Sequence, residues 1–484
     1  MHFGLIAKIL GLLLMLFSFS MLPPVLVAYL QQDGGEMPFL IAFGAIFMVG
    51  VLVWAPFARH HADLQTRDGF LVVSLFWVVL AGMGTLPFLL SPALQIGFTD
   101  AFFEAMSGLT TTGATVLTGI EHLPDSIRFY RQQLQWLGGM GIIILAIAIL
   151  PMLGVGGMQL YKAEIPGPMK ESKLTPRIAE TAKALWLIYL IFTVVCAALF
   201  YVAGMPWLEA IGHSFGTVAT GGFAMYDASY GHYDDFWIDM IGAVFIFLCS
   251  VSFALHFAVW RGKTLAAYLV DPEFRFFVGL IVGYTVLVTA GLWAFGVYDN
   301  ETDTTVRHAL FQALSFGTGT GFTSTDAANW PSYMPYLLVL ASFIGGCAGS
   351  TASGMKVVRV ALVQQQSGRE LRRLIYPAGV FALRFGRHAV DDRVLQAVWG
   401  FVGVYISIAV VMTLLFMSTG MDLSTAFSAT AASLNNLGAG IAGIANGFAE
   451  QTDMAKWMAC VGMLLGRLEI FTVLVLFSPM FWKQ

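Results

Sequence analysis

Charge is what this sequence has least of. Only 11% of its 484 residues are Asp, Glu, Lys or Arg, against 58% hydrophobic, and the mean hydropathy is +0.76. A soluble globular domain carries about 25% charged residues, so the composition excludes a soluble enzyme or a nucleic-acid-binding module. Cysteine is scarce too. Cys196, Cys249, Cys347 and Cys460 each sit inside an apolar run, and no two are closely spaced. That argues against both a disulfide framework and a thiolate metal site. The apolar runs hold no His-Glu-x-x-His, no paired-Asp motif and no nucleophile elbow. The nine His are scattered, and His60-His61 lies in a loop rather than a span. The chain is therefore not expected to be an enzyme. Soluble domains are missing as well: the longest polar linkers, 151–181 and 364–393, are too short to make one.

What remains is apolar sequence of two lengths. A spanning helix needs roughly 20 apolar residues, whereas runs of 10–14 are re-entrant or buried. Two long runs come first, Gly4 to Leu30 and Pro38 to Phe57. The first lacks a small-residue cleavage site and reads as a retained span. A pattern of long run, short run, polar loop, long run then occurs four times. The long runs are 69–90 and 130–150, 182–203 and 236–260, 274–295 and 333–363, 394–417 and 454–480. The short ones are 99–109, 206–215, 305–316 and 423–434. The expected fold is an all-α membrane protein: ten spans and four half-length helices, in four pseudo-repeats of span, pore helix, loop and span around a central pore. The boundaries are 1–68 for two extra N-terminal helices, then 69–160, 161–265, 266–368 and 369–484 for the repeats.

The loops are small, and rich in hydroxyl groups or Gly. They are Thr110-Thr111-Thr112-Gly113, Ala219-Thr220-Gly221-Gly222, Thr318-Gly319-Thr320-Gly321 and Asn435-Asn436-Leu437-Gly438. Their last glycines are separated by 109, 99 and 117 residues. The preceding short helices share an aromatic, polar, Ala order at Phe103-Glu104-Ala105, Phe311-Gln312-Ala313 and Phe427-Ser428-Ala429. Spacing alone leaves the register of the loops open by a residue. A cation crossing a bilayer must exchange its water for oxygen ligands, and carbonyls and hydroxyls supply them without a fixed charge that would trap it. Gly permits positive φ, and the negative end of each short helix favours a cation at the loop. Irregular backbone at membrane depth is tolerated where it lines a cavity or is buried in protein. Four such loops imply a shared axis and a cation pore. Two Asn in the fourth loop suggest that side-chain amides contribute there.

Charge placement gives the orientation, because Lys and Arg concentrate on the cytoplasmic side. With a cytoplasmic N-terminus, 20 of the 25 Lys and Arg lie in inner segments. Arg128, Arg131, Arg307 and Lys456 fall outside, and Arg467 lies within the last span. The basic run Arg369, Arg372, Arg373, Arg384 and Arg387 is a candidate footprint for a cytosolic partner.

Two features stand apart from the repeats. The span 333–363 is interrupted by small residues from Gly345 to Gly354, including Gly346, Gly349 and Ser350. Gly345 and Gly349 fit a close-packed Gly-x-x-x-Gly face, but so many small residues with poor helix propensity also fit a non-helical gate. Arg467 in the last span is costly at depth and is a functional candidate, with an ion pair to Glu469 as the alternative.

The whole plan resembles the TrkH/KtrB superfamily of potassium channels and transporters, and the two extra N-terminal spans and the Asn435-Asn436-Leu437-Gly438 loop are most similar to its bacterial TrkH branch. The resemblance implies potassium uptake, with rubidium also accepted, through a gated channel or, alternatively, a symporter coupled to sodium or protons. It implies a potassium ion at the filter residues and no other cofactor in this chain. It also implies a bacterial inner-membrane location in contact with lipid, a homodimer, and a cytosolic nucleotide-binding subunit of the TrkA type. In that family the 345–354 position is an intramembrane loop that occludes the pore.

Overall fold

The computed structural model describes residues 1–60, 65–144, 174–299, 301–386 and 388–483. Among the described residues the regular structure is helical apart from one two-stranded ladder in the expected inner linker, β1 (Arg384–Phe385) against β2 (His388–Ala389). Its first helices are α1 (Phe3–Ser18) and α2 (Leu22–Gln31), joined through a short 3-10 turn before Pro23 and Pro24, then α3 (Glu36–Trp54), which packs along α1. Pro at the start of a helix loses no hydrogen bond, so α1 and α2 together still cross as one span of 29 residues.

Four units follow. The first is α4 (Thr66–Gly84) with the short α5 (Leu86–Leu90), then α6 (Phe98–Leu109) and α7 (Asp125–Ile144). The second is α8 (Leu174–Val202), α9 (Trp207–Ala219), α10 (Phe236–Cys249) and α11 (Phe253–Gly262), leading to the short α12 (Ala266–Val270). The third is α13 (Pro272–Phe295), α14 (Thr302–Gly317), α15 (Met334–Ala341) and α16 (Val357–Ile375). The fourth is α17 (Asp392–Ser418), α18 (Leu423–Leu434), α19 (Asp453–Arg467), α20 (Phe471–Phe477) and the terminal α21 (Pro479–Trp482).

Starts follow from capping. Asp235, Asp271, Asp422 and Thr452 each accept a backbone N–H in the first turn of α10, α13, α18 and α19. Two short helices begin earlier than expected, α6 after Gly97 and α14 after Glu301.

The short helices α6, α9, α14 and α18 are buried over most of their length, and fully so in the turns that lead into the loops. Each packs between the two long elements of its own unit, and also against the second long element of the preceding unit: α9 on α7, α14 on α10, α18 on α15, and α6 on α19. The last contact closes the ring. The outer faces are apolar in the opposite sense. On α17, Ile406, Val410, Val411 and Leu414 are exposed, as suits a helix whose outer face meets lipid tails.

Three of the ten expected spans are broken. Six helical stretches are long and apolar enough to cross a membrane among the described residues. The expected spans 236–260 and 454–480 are helix pairs bent by 90° and 115°, because Ser250–Ser252 and Leu468–Ile470 leave helical geometry. The expected span 333–363 is two helices, α15 and α16, separated by an irregular stretch. The part of the expected span 130–150 after Ile144 lies outside the described residues.

Candidate functional site

The four loops are superposable in their backbone, and this fixes the register that spacing left open. Position two is left-handed in each: Thr111 (φ 50°), Thr220 (51°), Gly319 (71°) and Asn436 (48°). Position four is a glycine at positive φ in each: Gly113 (83°), Gly222 (85°), Gly321 (86°) and Gly438 (74°). The N–H of position three reaches back five residues to a helix carbonyl every time, from Thr112 to Ser107, Gly221 to Gly216, Thr320 to Ser315 and Leu437 to Ala432, at 2.8–3.1 Å. This is the Schellman closure of a helix C-terminus. It satisfies the last carbonyls while turning the chain sharply.

The loops meet one another in sequence. A Cβ on Gly113 would fall on the carbonyl oxygen of Gly221, one on Gly222 on that of Thr320, one on Gly321 on that of Leu437, and one on Gly438 on that of Thr112. Each fourth-position glycine therefore abuts the third-position carbonyl of the next loop, and the fourth abuts the first. All sixteen expected loop residues are brought together in this ring. The four glycines share the lining of a cavity of about 230 Å³ on one side of it.

A buried polar scaffold holds the first two loops. Arg131 on α7 donates through Nε to Glu104 at 2.6 Å and through Nη1 to the Ala224 carbonyl at 3.2 Å, and its guanidinium lies 4.2 Å over the Phe223 ring. Glu104 in turn accepts from the Thr115 hydroxyl and the Val116 amide. Gln132 donates to Phe223 O at 2.7 Å, and Gln135 donates to Gly221 O at 2.5 Å while accepting from Phe223 N at 3.1 Å. Sequence reading placed Arg131 with the outer-loop charges; it is instead fully buried beside the ring. The legible signal was the run Arg131-Gln132-Gln133 with Gln135 at the opening of an apolar helix, since polar groups at depth need partners.

In the fourth loop the amides mostly serve the frame. Asn435 bonds Tyr405 and Ser342, and Asn436 Nδ2 donates to Thr112 Oγ1 and the Met463 carbonyl, both at 2.9 Å. Asn436 Oδ1 has no partner among the described residues. It lines a second cavity of about 50 Å³ on the other side of the ring.

That second cavity is walled by the small-residue segment. Gly345, Gly349 and Gly354 all have positive φ, so the segment is not a close-packed helix face. Ser353 N donates to the Thr318 carbonyl at 3.3 Å, and Thr351 Oγ1 donates to Val218 O and Cys249 O, each at 3.1 Å. Gly346 and Ser350 lie in the same stretch, whose Cys347 amide donates to Ser250 O at 2.9 Å. The segment thus lies directly against the third loop and the end of α9. Arg467 ends α19 beside it and donates from Nη1 to the Thr351 carbonyl at 3.2 Å. Its Nε and Nη2 have no partner among the described residues. The alternative ion pair with Glu469 does not form: Glu469 pairs with Arg359 at 2.5 Å, and Arg359 lies 4.0 Å over Phe401. The left-handed φ of Glu469 and Ile470, 53° and 33°, turns Glu469 toward α16.

At the mouth of the larger cavity, Asp227 accepts from Gly119 N at 2.7 Å and Ile120 N at 3.1 Å. Glu121 beside it has its carboxyl held below the usual range by its own backbone amide and by that of Asp227. A negative rim of this kind concentrates cations.

A ring of carbonyl-bearing loops at the ends of four buried half-helices, set among membrane-spanning helices, defines a protein built to pass ions. The chain belongs to the TrkH family of cation transport proteins, whose family model matches residues 35–484. It is 49% identical over 484 residues to the Trk system potassium uptake protein TrkH of Salmonella typhimurium and 50% identical to that of Halomonas elongata, with all of each chain covered. The Trk system potassium uptake protein TrkG of Escherichia coli is 37% identical over 483 residues, covering 100% of this chain and 99% of TrkG. The crystal structure of the potassium transporter TrkH from Vibrio parahaemolyticus superposes with a TM-score of 0.93 at 49% identity, over all of both chains.

Proposed function

We propose that this chain is a gated, potassium-selective uptake pore. Residues Thr110–Gly113, Ala219–Gly222, Thr318–Gly321 and Asn435–Gly438 form its filter, in four pseudo-repeats with the boundaries given above. The observation that carries the reading is the closed ring of glycine-to-carbonyl contacts, which gives a cation one oxygen-rich passage contributed by every loop. Gly345, Gly346, Gly349, Ser350, Gly354 and Arg467 form the gate beneath it. The coordinated ion is the cargo, potassium or rubidium. The chain is inserted in a bacterial inner membrane with its N-terminus cytoplasmic, works as a homodimer, and is controlled by a separate nucleotide-binding subunit on the inner face.

Purified protein in liposomes is expected to take up radioactive rubidium down its gradient, with sodium a weak competitor and with no requirement for an opposing sodium or proton gradient. Uptake that runs only when such a gradient is imposed would favour the symporter instead.

The inner face offers a footprint for the subunit on α16 and the hairpin after it. Arg373 pairs with Glu370 at 3.0 Å, and Arg369 lies 3.3 Å from Asp392. Arg372 and Arg384 complete the described part of the basic run, and Arg387 lies outside the described residues. Reversing Arg372, Arg373 and Arg384 to Glu is expected to weaken co-purification with the cytosolic subunit by about tenfold, the loss typical of removing a few rim charges that steer association. Complex recovery equal to that of the unaltered chain would remove this face from consideration.

A further inference from the structure

The gate segment is joined to the helix that follows it by one side chain that the sequence did not mark. Glu273 sits in the first turn of α13 and is buried. Its Oε1 accepts from the Ala348 amide at 2.8 Å and from the Val358 amide at 3.2 Å. Those two donors bracket the part of the segment that lies under Thr318 and beside Arg467. Val358 belongs to the first turn of α16, where N–H groups have no partner within the helix. A carboxylate there is favoured by the helix dipole, and hydrogen bonds to an ionised acceptor are about twice as strong as neutral ones.

Other tethers of the segment to its surroundings include Cys347 N to Ser250 O, Thr351 N to Cys249 O, Ser353 N to Thr318 O and Phe253 N to Gly349 O, besides the Thr351 bonds to Val218 O and Arg467. Each holds one point. The backbone also closes the segment on itself, from Val357 N to Gly346 O at 3.0 Å and from Gly346 N to Ser353 O at 3.3 Å. Glu273 differs in kind because it is a charged side chain that joins Ala348 to the start of α16 through one oxygen. Swinging the segment away from the ring while α16 stays in place breaks at least one of these two bonds, so the carboxylate weights the closed arrangement over any open one.

We propose that Glu273 is the latch of the gate, a positioning residue that sets how often the segment leaves the pore without touching the ion. The proposal rests on the gate reading above. Cys347 supplies a reporter already in the chain. It is 1% exposed and precedes Ala348. Cys196 and Cys460 are buried in α8 and α19, whereas Cys249 is bonded through its carbonyl to Thr351 of the segment.

The experiment measures the rate at which a small thiol reagent modifies each cysteine in the full-length protein, mapped by peptide mass, together with rubidium and sodium flux. Glu273→Ala is expected to raise Cys347 modification and basal rubidium flux by about tenfold, the weight of one charged hydrogen bond lost net. Glu273→Gln keeps the shape and an acceptor oxygen, and is expected to raise both by a smaller factor. The rubidium-to-sodium ratio should not move in either. Cys196 and Cys460 should stay protected, since a purely structural role would expose them together with Cys347; Cys249, bonded to Thr351 of the segment, is not used as a control. Cys347 reactivity unchanged in Glu273→Gln overturns the latch, as does an equal rise at Cys347, Cys196 and Cys460. Cys347 reactivity that rises alone while flux does not supports the latch, and then it is the gate reading of the segment that fails.

Discussion

Gly113→Ser and Gly222→Ser are expected to abolish most discrimination between potassium and sodium. Both glycines have φ above 80°, and at each a Cβ would land on the carbonyl oxygen of the neighbouring loop. A serine therefore cannot be added without moving that oxygen or changing its own backbone. A non-glycine residue held in such a conformation costs about 1–3 kcal/mol. Discrimination is a difference of the same size, since each tenfold step in preference is about 1.4 kcal/mol. A cage distorted by that much energy loses at least one such step. The sodium-to-rubidium flux ratio should rise by about tenfold or more, and total flux should fall where the displaced oxygen narrows the passage. Gly279→Ala and Gly283→Ala are the matched controls. Both glycines lie in α13, and no atom comes within 4 Å of the place an alanine methyl would occupy, so both should behave as the parent. If the serine variants keep parental selectivity, the loops are not the filter.

Arg467→Ala is expected to raise rubidium flux by about a hundredfold and to leave selectivity alone. The guanidinium is buried at the cavity beneath the ring, and only Nη1 has a protein partner among the described residues. Glu469 does not neutralise it, being paired to Arg359. At about 5 Å and an effective dielectric of about 20, its repulsion of a passing cation is on the order of 3 kcal/mol. Removing the charge removes that barrier, while the ring on the other side of Asn436 keeps its geometry. Arg467→Lys should retain part of the block, because the charge survives but the fork that reaches Thr351 does not. Rubidium uptake by equal amounts of folded protein decides it. An alanine variant no faster than the parent would show that the charge is not the barrier.

The parts of this architecture legible in the sequence were those written in local length and composition. The stretch Leu423–Leu434 is too short to span and is followed by Asn435, Asn436 and Gly438, so its half-helix and loop follow from chain length and turn chemistry. The breaks at Ser250–Ser252 and Leu468–Ile470 were missed because apolar residues continue on both sides, and hydropathy does not register direction. The small residues from Gly345 to Gly354 did announce an irregular segment, yet not its tethers. The scaffold was hidden for a different reason. Arg359 and Glu469 are 110 residues apart in the chain, and Glu273 meets Ala348 across 75. No periodicity encodes such partners. The register of the loops needed the backbone itself, since Thr111, Thr220, Gly319 and Asn436 share a conformation and not a residue type.

The four loops belong to one polypeptide, and this has a consequence for how such a ring can vary. In a ring assembled from four identical subunits every change is made in quadruplicate, and an obstruction suited to one side of the axis would be forced on all. Here Leu437 stands where the other loops carry Thr or Gly, one loop alone is backed by Asn435 and Asn436, and a single arginine faces a single small-residue segment across the lower cavity. A single chain frees each loop to differ: the four glycines keep the same turn while the small-residue segment and Arg467 lie on one side only.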